Sequence, residues 1–320
     1  MATDRTHRAG DLEHGPAATG PAPARGPRAV RGGALSDLRV LSTGPLATVQ
    51  DLGRAGAGDI GVGVSGAADR GSLRLANRLV GNREEAAAIE ITLGGLALCA
   101  RRALTVAVTG ADCPIAVDGR GGAVNTVLRV PAGAELTTGA PERGSRAYLA
   151  VRGGVDVEPV LGSRSTDTLS GLGPDPLRAG DLLPVGSPPA DFPVVDAAPV
   201  PGPPAGDLEL TVVPGPRADW FTEGALSTLF SGTYRVTPRS DRVGMRLDGP
   251  LLERAGAGEL PSEGMVSGAL QVPPSGEPTL FLADHPVTGG YPVIAVVRSA
   301  DVDRAAQARP GQRLRFRPAR

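Results

Sequence analysis

Two short stretches decide how this chain is organised: RAGDLLPVG, Arg178 to Gly186, and PGQRLRFRP, Pro310 to Pro318. Each places a glycine and a polar residue ahead of alternating apolar positions, the period-two pattern of a strand with one buried face. Each also closes a long run of strand-like segments. A motif that ends both halves in the same way points to two copies of one β-barrel plan.

The segments before each ending agree with that plan. Ordered structure is expected from DLRVLSTGPLATVQDLGR, Asp37 to Arg54, with a strand at Leu38–Ser42, a Gly-Pro turn and a return at Leu46–Val49. From Asp69 the period becomes helical, with Leu73, Ala76 and Val80 on one face and Leu75 and Leu79 beside it. Asp69 is an N-cap candidate and Gly81-Asn82 a stop signal. Strands follow at 88–93, 96–100, 104–108, 114–117, 127–130, 135–138 and 146–151. Residues 187–206 contain seven prolines and no periodic pattern, the composition of a linker. The second half opens with LELTVVPG and predicts helices over 218–230 and 301–308. Its strands are expected around 234–237, 245–247, 279–282 and 293–297. The predicted fold is mainly β: a disordered tail over 1–35, a first barrel domain over 36–186, a linker over 187–206 and a second barrel domain over 207–320. A few short helices complete it.

Composition removes several functions. Aromatics are 3% and the net charge is −1, so neither a base-stacking groove nor a basic stripe is present for nucleic acid or an anionic membrane. All 33 basic residues are arginine. Without lysine there is no phosphate loop ending in Lys-Ser/Thr, no Schiff-base lysine and no attachment point for biotin. Anions must be held by guanidinium forks or backbone N–H groups. Cys99 and Cys113 stand near apolar strand-like runs and are expected as small buried hydrophobes. No metal-ligand spacing of His and Cys occurs. No apolar run reaches a membrane span, and the first residues lack a secretory h-region, so a cytoplasmic protein is expected.

Four glycine-rich polar stretches interrupt the strands, and loops on a rigid β scaffold are where binding and catalysis concentrate. They are Thr48–Asp69, Val151–Gly173, Arg235–Pro250, and Ser262–Pro278 taken with Asp284–Val297. The last contains His285, set between Asp284 and Pro286 ahead of Thr288, Gly289, Gly290, Tyr291 and Pro292. That turn is either hairpin punctuation, since Gly-Gly supplies positive φ, or a loop built to hold a ligand. Arg239, Ser240, Asp241 and Arg242 are likewise either a braced loop or an anion grip. The residue types leave both alternatives open.

The sequence TVQDLGRAGAGDIGVGVSGAADRGSLRLANRLVGNREEAAAIEITLGG, Thr48 to Gly95, resembles the N-terminal signature of the biotin-dependent carboxyltransferase/allophanate hydrolase subunit 2 family, which includes KipA. RAYLAVRGGVD, GSRSTD, SDRVGMRLDG, LQVPPSGEP and TGGYPVIAVV match further motifs in the family's order over about residues 38–318. The chain departs from many members at Ser267-Gly268 and at Pro286-Val287.

The resemblance implies a tandem pair of cyclophilin-like barrels. It further implies one component of an ATP-dependent 5-oxoprolinase, acting with a KipI-like partner and a LamB/YcsF-like partner to convert 5-oxo-L-proline to L-glutamate. ATP with Mg is the implied cofactor, shared with a partner, and no biotin is attached to this chain. The alternatives in the family are a biotin-dependent carboxyltransferase component and a regulatory binder of a kinase inhibitor. On these motifs Asp284, His285 and Arg242 are the catalytic candidates, the histidine because it is the side chain that ordinarily changes charge near neutral pH. Arg239, Ser240, Asp241, Gln271, Thr288, Gly289, Gly290, Tyr291, Gln50, Asp51 and Arg54 are the substrate-binding candidates. The Gly289 and Gly290 N–H groups would join Arg239 and Arg242 as donors to developing negative charge.

Overall fold

The computed structural model describes residues 37–256, 258 and 260–319. The tail expected to be disordered, 1–35, lies outside them.

The strands of the first half lie in two sheets. One has the order Leu182–Leu183, Leu38–Thr43, Leu96–Ala100, Glu135–Thr138, Ile115–Val117, Arg120–Gly122; the other has Leu46–Gln50, Ala88–Thr92, Arg143–Val151, Leu104–Asp112, Val127–Val130. Alternation drives the packing between them: Leu96, Leu98 and Ala100 face Ile89, Ile91, Val106, Val108 and Leu149 in one core. Arg143–Val151 loses its alternation because both of its faces are covered. Its Tyr148 and Ala150 lie beneath helix α1, Arg70–Leu79, whose Leu73, Ala76 and Leu79 form a second cluster with them. Each such side chain removed from water contributes roughly 1.5–3 kcal/mol. The Asp69 carboxylate caps α1 by accepting from Ser72 N at 2.9 Å, as its position ahead of the helix predicted.

The second half is a closed barrel of Leu208–Pro214, Val293–Val297, Ala269–Gln271, Thr279–Phe281, Gly244–Asp248, Tyr234–Val236 and Arg313–Pro318. The expected helix over 218–230 divides into a 3-10 turn, Ala218–Trp220, and helix α2, Glu223–Ser231. Phe221 breaks it by adopting extended backbone and bridging to Arg254, a pairing that local propensity does not encode. The third helix, α3, spans Ser299–Ala306. Both echoing stretches return to the first strand of their own half, but with opposite sense. Leu183 pairs antiparallel with Leu38, whereas Leu314 pairs parallel with Leu208.

The proline-rich stretch is strapped to the first half. Val127 N donates to Asp196 O and Ala198 N to Asn125 O, while the Phe192 ring lies under the Arg152 and Arg129 guanidiniums at 4.5 and 5.1 Å. The strap covers the outer strand of the five-stranded sheet, an edge that would otherwise present unpaired backbone groups. Cys99 and Cys113 are both free, and burial with the neighbouring Asp112 charge pushes the Cys113 thiol up to about 11. No helix among the described residues is long and apolar enough to cross a membrane.

Candidate functional site

The two halves meet along a seam of polar side chains, and the seam sets the site. From α3, Asp303 accepts from Arg70 N and Gly71 N at 3.1 and 2.9 Å. Just beyond it, Gln307 donates to Asp69 Oδ2 and Arg146 O and accepts from Ser145 N and Arg146 N. Burial raises the Asp69 carboxyl above its ordinary value, against hydrogen bonds from Gln307 and Ser72.

At the centre of the seam lies Arg242, 1% exposed. Its Nε and Nη2 donate to Asp284 at 2.9 Å each, its Nη1 to Glu90 Oε1 at 2.5 Å, and its Nη2 also to Gly66 O at 2.6 Å. Arg146 Nε lies 3.6 Å from Glu90, so two guanidiniums face two carboxylates in a neutral buried cluster. Glu90 accepts further bonds from Tyr148 Oη at 2.8 Å and Ala68 N at 3.0 Å. Asp284 also accepts from Ser65 Oγ at 2.6 Å, Thr168 N at 2.9 Å and Thr168 Oγ1 at 2.7 Å. Burial alone would raise both carboxyls, but the Arg242 charge with these donors outweighs it and holds each below its ordinary value. Burial would lower the guanidinium of Arg242; Glu90 and Asp284 reverse that and keep it charged.

This geometry corrects two expectations. Arg242 spends its donors on Asp284, Glu90 and Gly66, so it braces the seam and presents no fork to a ligand. Asp284 is held ionised by five hydrogen bonds and is not poised to carry a proton. The brace does not run through Asp241, whose carboxylate accepts from Val243 N and Gly244 N of its own turn.

His285, the next residue, is half-buried. Its Nδ1 lies 2.9 Å from Pro286 O, and because a carbonyl can only accept, this contact is a hydrogen bond donated by Nδ1; in that tautomer of the neutral ring Nε2 is the acceptor. The loop Gly61–Ser65 borders it, since a Cβ on Gly63 would lie 3.5 Å from His285 O and 4.0 Å from Val287 Cγ2. Ser65 in that loop holds a left-handed φ of 54° and is buried, fixed through its bond to Asp284.

Thr288 and Gly289 pair with Gly264 and Glu263 in a two-stranded ribbon, and neither Gly289 nor Gly290 has a positive φ. Close approach by a side chain favours the glycine at 289 instead. A Cβ there would stand 2.6 Å from Gln271 Nε2, which donates to Tyr291 O at 3.1 Å. Gln271 is buried, while Thr288, Gly290 and Tyr291 are exposed beside the same ribbon.

The remaining candidates separate into two places. Gln50, Asp51 and Arg54 clasp the Gly162–Asp167 stretch from beneath. Asp51 accepts from Ser163 Oγ, Ser165 Oγ and Arg164 N at 2.6 Å each, Gln50 Nε2 donates to Thr166 O at 2.9 Å, and Arg54 Nη2 to Ser165 O at 2.5 Å. Arg239 lies elsewhere, on a cavity of about 280 Å³ in the outer wall of the second barrel. Ser240 accepts from Arg246 N beside that cavity. Sequence reasoning missed Glu90, Arg146 and Gln307. The signal for Glu90 was present: one carboxylate flanked by Ile89 and Ile91 in a strand buried on both faces.

The sequence matches the family described as carboxyltransferase domain, subdomain A and B, over residues 60–318. It is 39% identical to the C subunit of 5-oxoprolinase from Escherichia coli (strain K12) over 284 residues, covering 87% of this chain and 90% of that protein. It is 35% identical to urea amidolyase of Lachancea kluyveri, covering 88% of this chain but 17% of that protein. The crystal structure of TTHA0988 in space group P212121 superposes with a TM-score of 0.79 at 39% identity, covering 88% of this chain and 55% of that one.

Proposed function

This chain belongs to the carboxyltransferase domain, subdomain A and B, family, and on that premise we propose that it is the C subunit of a 5-oxoprolinase complex. The observation that carries the reading is the near full-length match to a stand-alone protein of that name. The urea amidolyase match, in contrast, falls within a small part of a much longer chain. The reaction is ATP-dependent opening of 5-oxo-L-proline to L-glutamate, with KipI-like and LamB/YcsF-like chains as partners.

The N-terminus of α1 is closed to an ATP phosphate. The first N–H groups of α1, the natural cradle for a phosphate, are already spent on Asp303 and Asp69. No group of three or more His, Cys, Asp or Glu among the described residues could hold a metal ion. In this reading ATP with its Mg is shared with a partner chain, since Mg bound through phosphates needs only one or two carboxylates from the protein.

What this chain contributes is a positioned base. A lactam carbonyl is a poor electrophile because of amide resonance; transfer of a phosphoryl group from ATP to its oxygen would activate it. One water would then add with loss of a proton as the ring C–N bond breaks and the nitrogen is protonated, and a second water would release the phosphate. His285 Nε2 is free to accept the proton lost by the first water, with its tautomer held by Pro286 O. Asp284 and Arg242 fix the backbone beside it, joining the loops of both halves at the seam. Exposed Thr288, Gly290 and Tyr291 border the place where substrate would enter.

Co-expression with both partners, followed by L-glutamate release from 5-oxoproline and ATP, tests the reading. Activity is expected from the assembled complex and not from this chain alone. His285→Ala should lower turnover by about 10²–10⁴-fold at an unchanged melting temperature. Carboxylation of urea from carboxybiotin, with no glutamate released, would replace the reading with the carboxyltransferase one.

A further inference from the structure

The outer wall of the second barrel carries a charged cavity. Strand Gly244–Asp248 buries Met245 and Leu247 and turns Arg246 and Asp248 outward, and both line the cavity of about 280 Å³ with Arg239, Glu277, Thr237 and Thr279. The volume suits one small metabolite.

Charge is arranged in two poles. Thr237 N donates to Arg246 O and Ser240 Oγ accepts from Arg246 N, so the loop bearing Arg239 adjoins Arg246. Leu247 N donates to Pro278 O, so Glu277 adjoins the Asp248 end. Arg239, Arg246, Asp248 and Glu277 make no ion pair with one another or with any other described residue, although opposite charges share one cavity. The adjoining wall behaves differently: Arg313 and Arg317 on the closing strand pair with Asp207 and Glu209 at 2.8 and 2.9 Å. Two guanidiniums at one end and two carboxylates at the other complement a small dipolar molecule.

We propose that this groove binds a free zwitterionic amino acid, with carboxylate at the Arg239/Arg246 pole and ammonium at the Asp248/Glu277 pole. Guanidinium–carboxylate contacts are charge-assisted and bidentate, which fixes the orientation. Two guanidiniums favour an amino acid with a second carboxylate, so L-glutamate is the probe. The site is separate from His285 and needs neither partner chains nor nucleotide.

Isothermal titration of the full-length chain with L-glutamate, glutarate and γ-aminobutyrate tests it. Saturable binding of L-glutamate is expected, about tenfold tighter than glutarate, which lacks the ammonium group. Arg246→Ala and Asp248→Ala should each weaken it about tenfold, with unchanged melting temperatures. Glutarate binding as tightly as L-glutamate would make the groove a plain anion site and overturn the proposal. So would L-glutamate affinity left intact in both variants, or an absence of saturable binding. Because the titration contains no ATP and no partner, its failure leaves the 5-oxoprolinase reading standing, and the reverse also holds.

Discussion

The seam between the halves and the groove on the outer wall each gather two arginines and two acidic residues, yet use them in opposite ways. At the seam, Glu90, Arg146, Arg242 and Asp284 are buried and mutually paired. In the groove, Arg239, Arg246, Asp248 and Glu277 are exposed and unpaired. Buried charge must be compensated within the protein, because water is not there to do it. Exposed charge can remain free for a ligand at little cost. Four charges are therefore a brace in one place and a recognition surface in the other.

The largest effect that would break this contrast lies at Arg242. Arg242→Ala leaves Glu90 and Asp284 buried against less positive charge, and should cost about 3–5 kcal/mol of stability by urea unfolding. A loss below about 1 kcal/mol, the scale of an exposed pair, would show that water reaches the seam.

Acid should act through the same pair. Both carboxyls sit below their ordinary values, so their contribution is fully present above the unfolded values, near 3.8 for Asp and 4.5 for Glu, and is lost as pH falls through the lowered folded values. Asp69 has the opposite sign, since its raised carboxyl favours the folded state at low pH and less so as pH rises through its folded value. In Arg242→Ala the largest lowering charge is gone, so burial shifts Glu90 and Asp284 upward against what remains, Arg146 at Glu90 and the Ser65 and Thr168 hydrogen bonds at Asp284. The stability gap to the parent should then be widest near neutral pH and narrow toward the ordinary carboxylate range, about pH 4. A gap independent of pH, in melts across that range, would assign the loss to packing.

Gly289→Ala should cost about 1 kcal/mol, because the added methyl displaces the Gln271 amide from its hydrogen bond to Tyr291 O. Its thermal melt should fall together with substrate affinity of the complex, as the ribbon at 288–289 shifts. Arg246→Ala marks the small end of the scale. With no partner to lose, its stability should stay within about 0.5 kcal/mol of the parent, measured in the same urea series.

Much of the architecture was legible in the chain because its signals are local. Alternating apolar positions marked most strands, Asp69 marked the start of α1, and the endings at Arg178–Gly186 and Pro310–Pro318 marked strands that return to the first strand of each half, although only the second half closes as a barrel. Lysine's absence removed whole classes of chemistry. Tertiary structure alone decided that one closing strand runs antiparallel and the other parallel, and that Phe221 breaks the second-half helix. It also decided which polar loop residues are buried. Arg242 meets Glu90 from 152 positions away and Ser65 meets Asp284 from 219, distances over which no local period carries information. An arginine in a glycine-rich loop has the same neighbours in sequence whether it faces water or two carboxylates, and only the docking of the two halves sets its dielectric surroundings and hence its role.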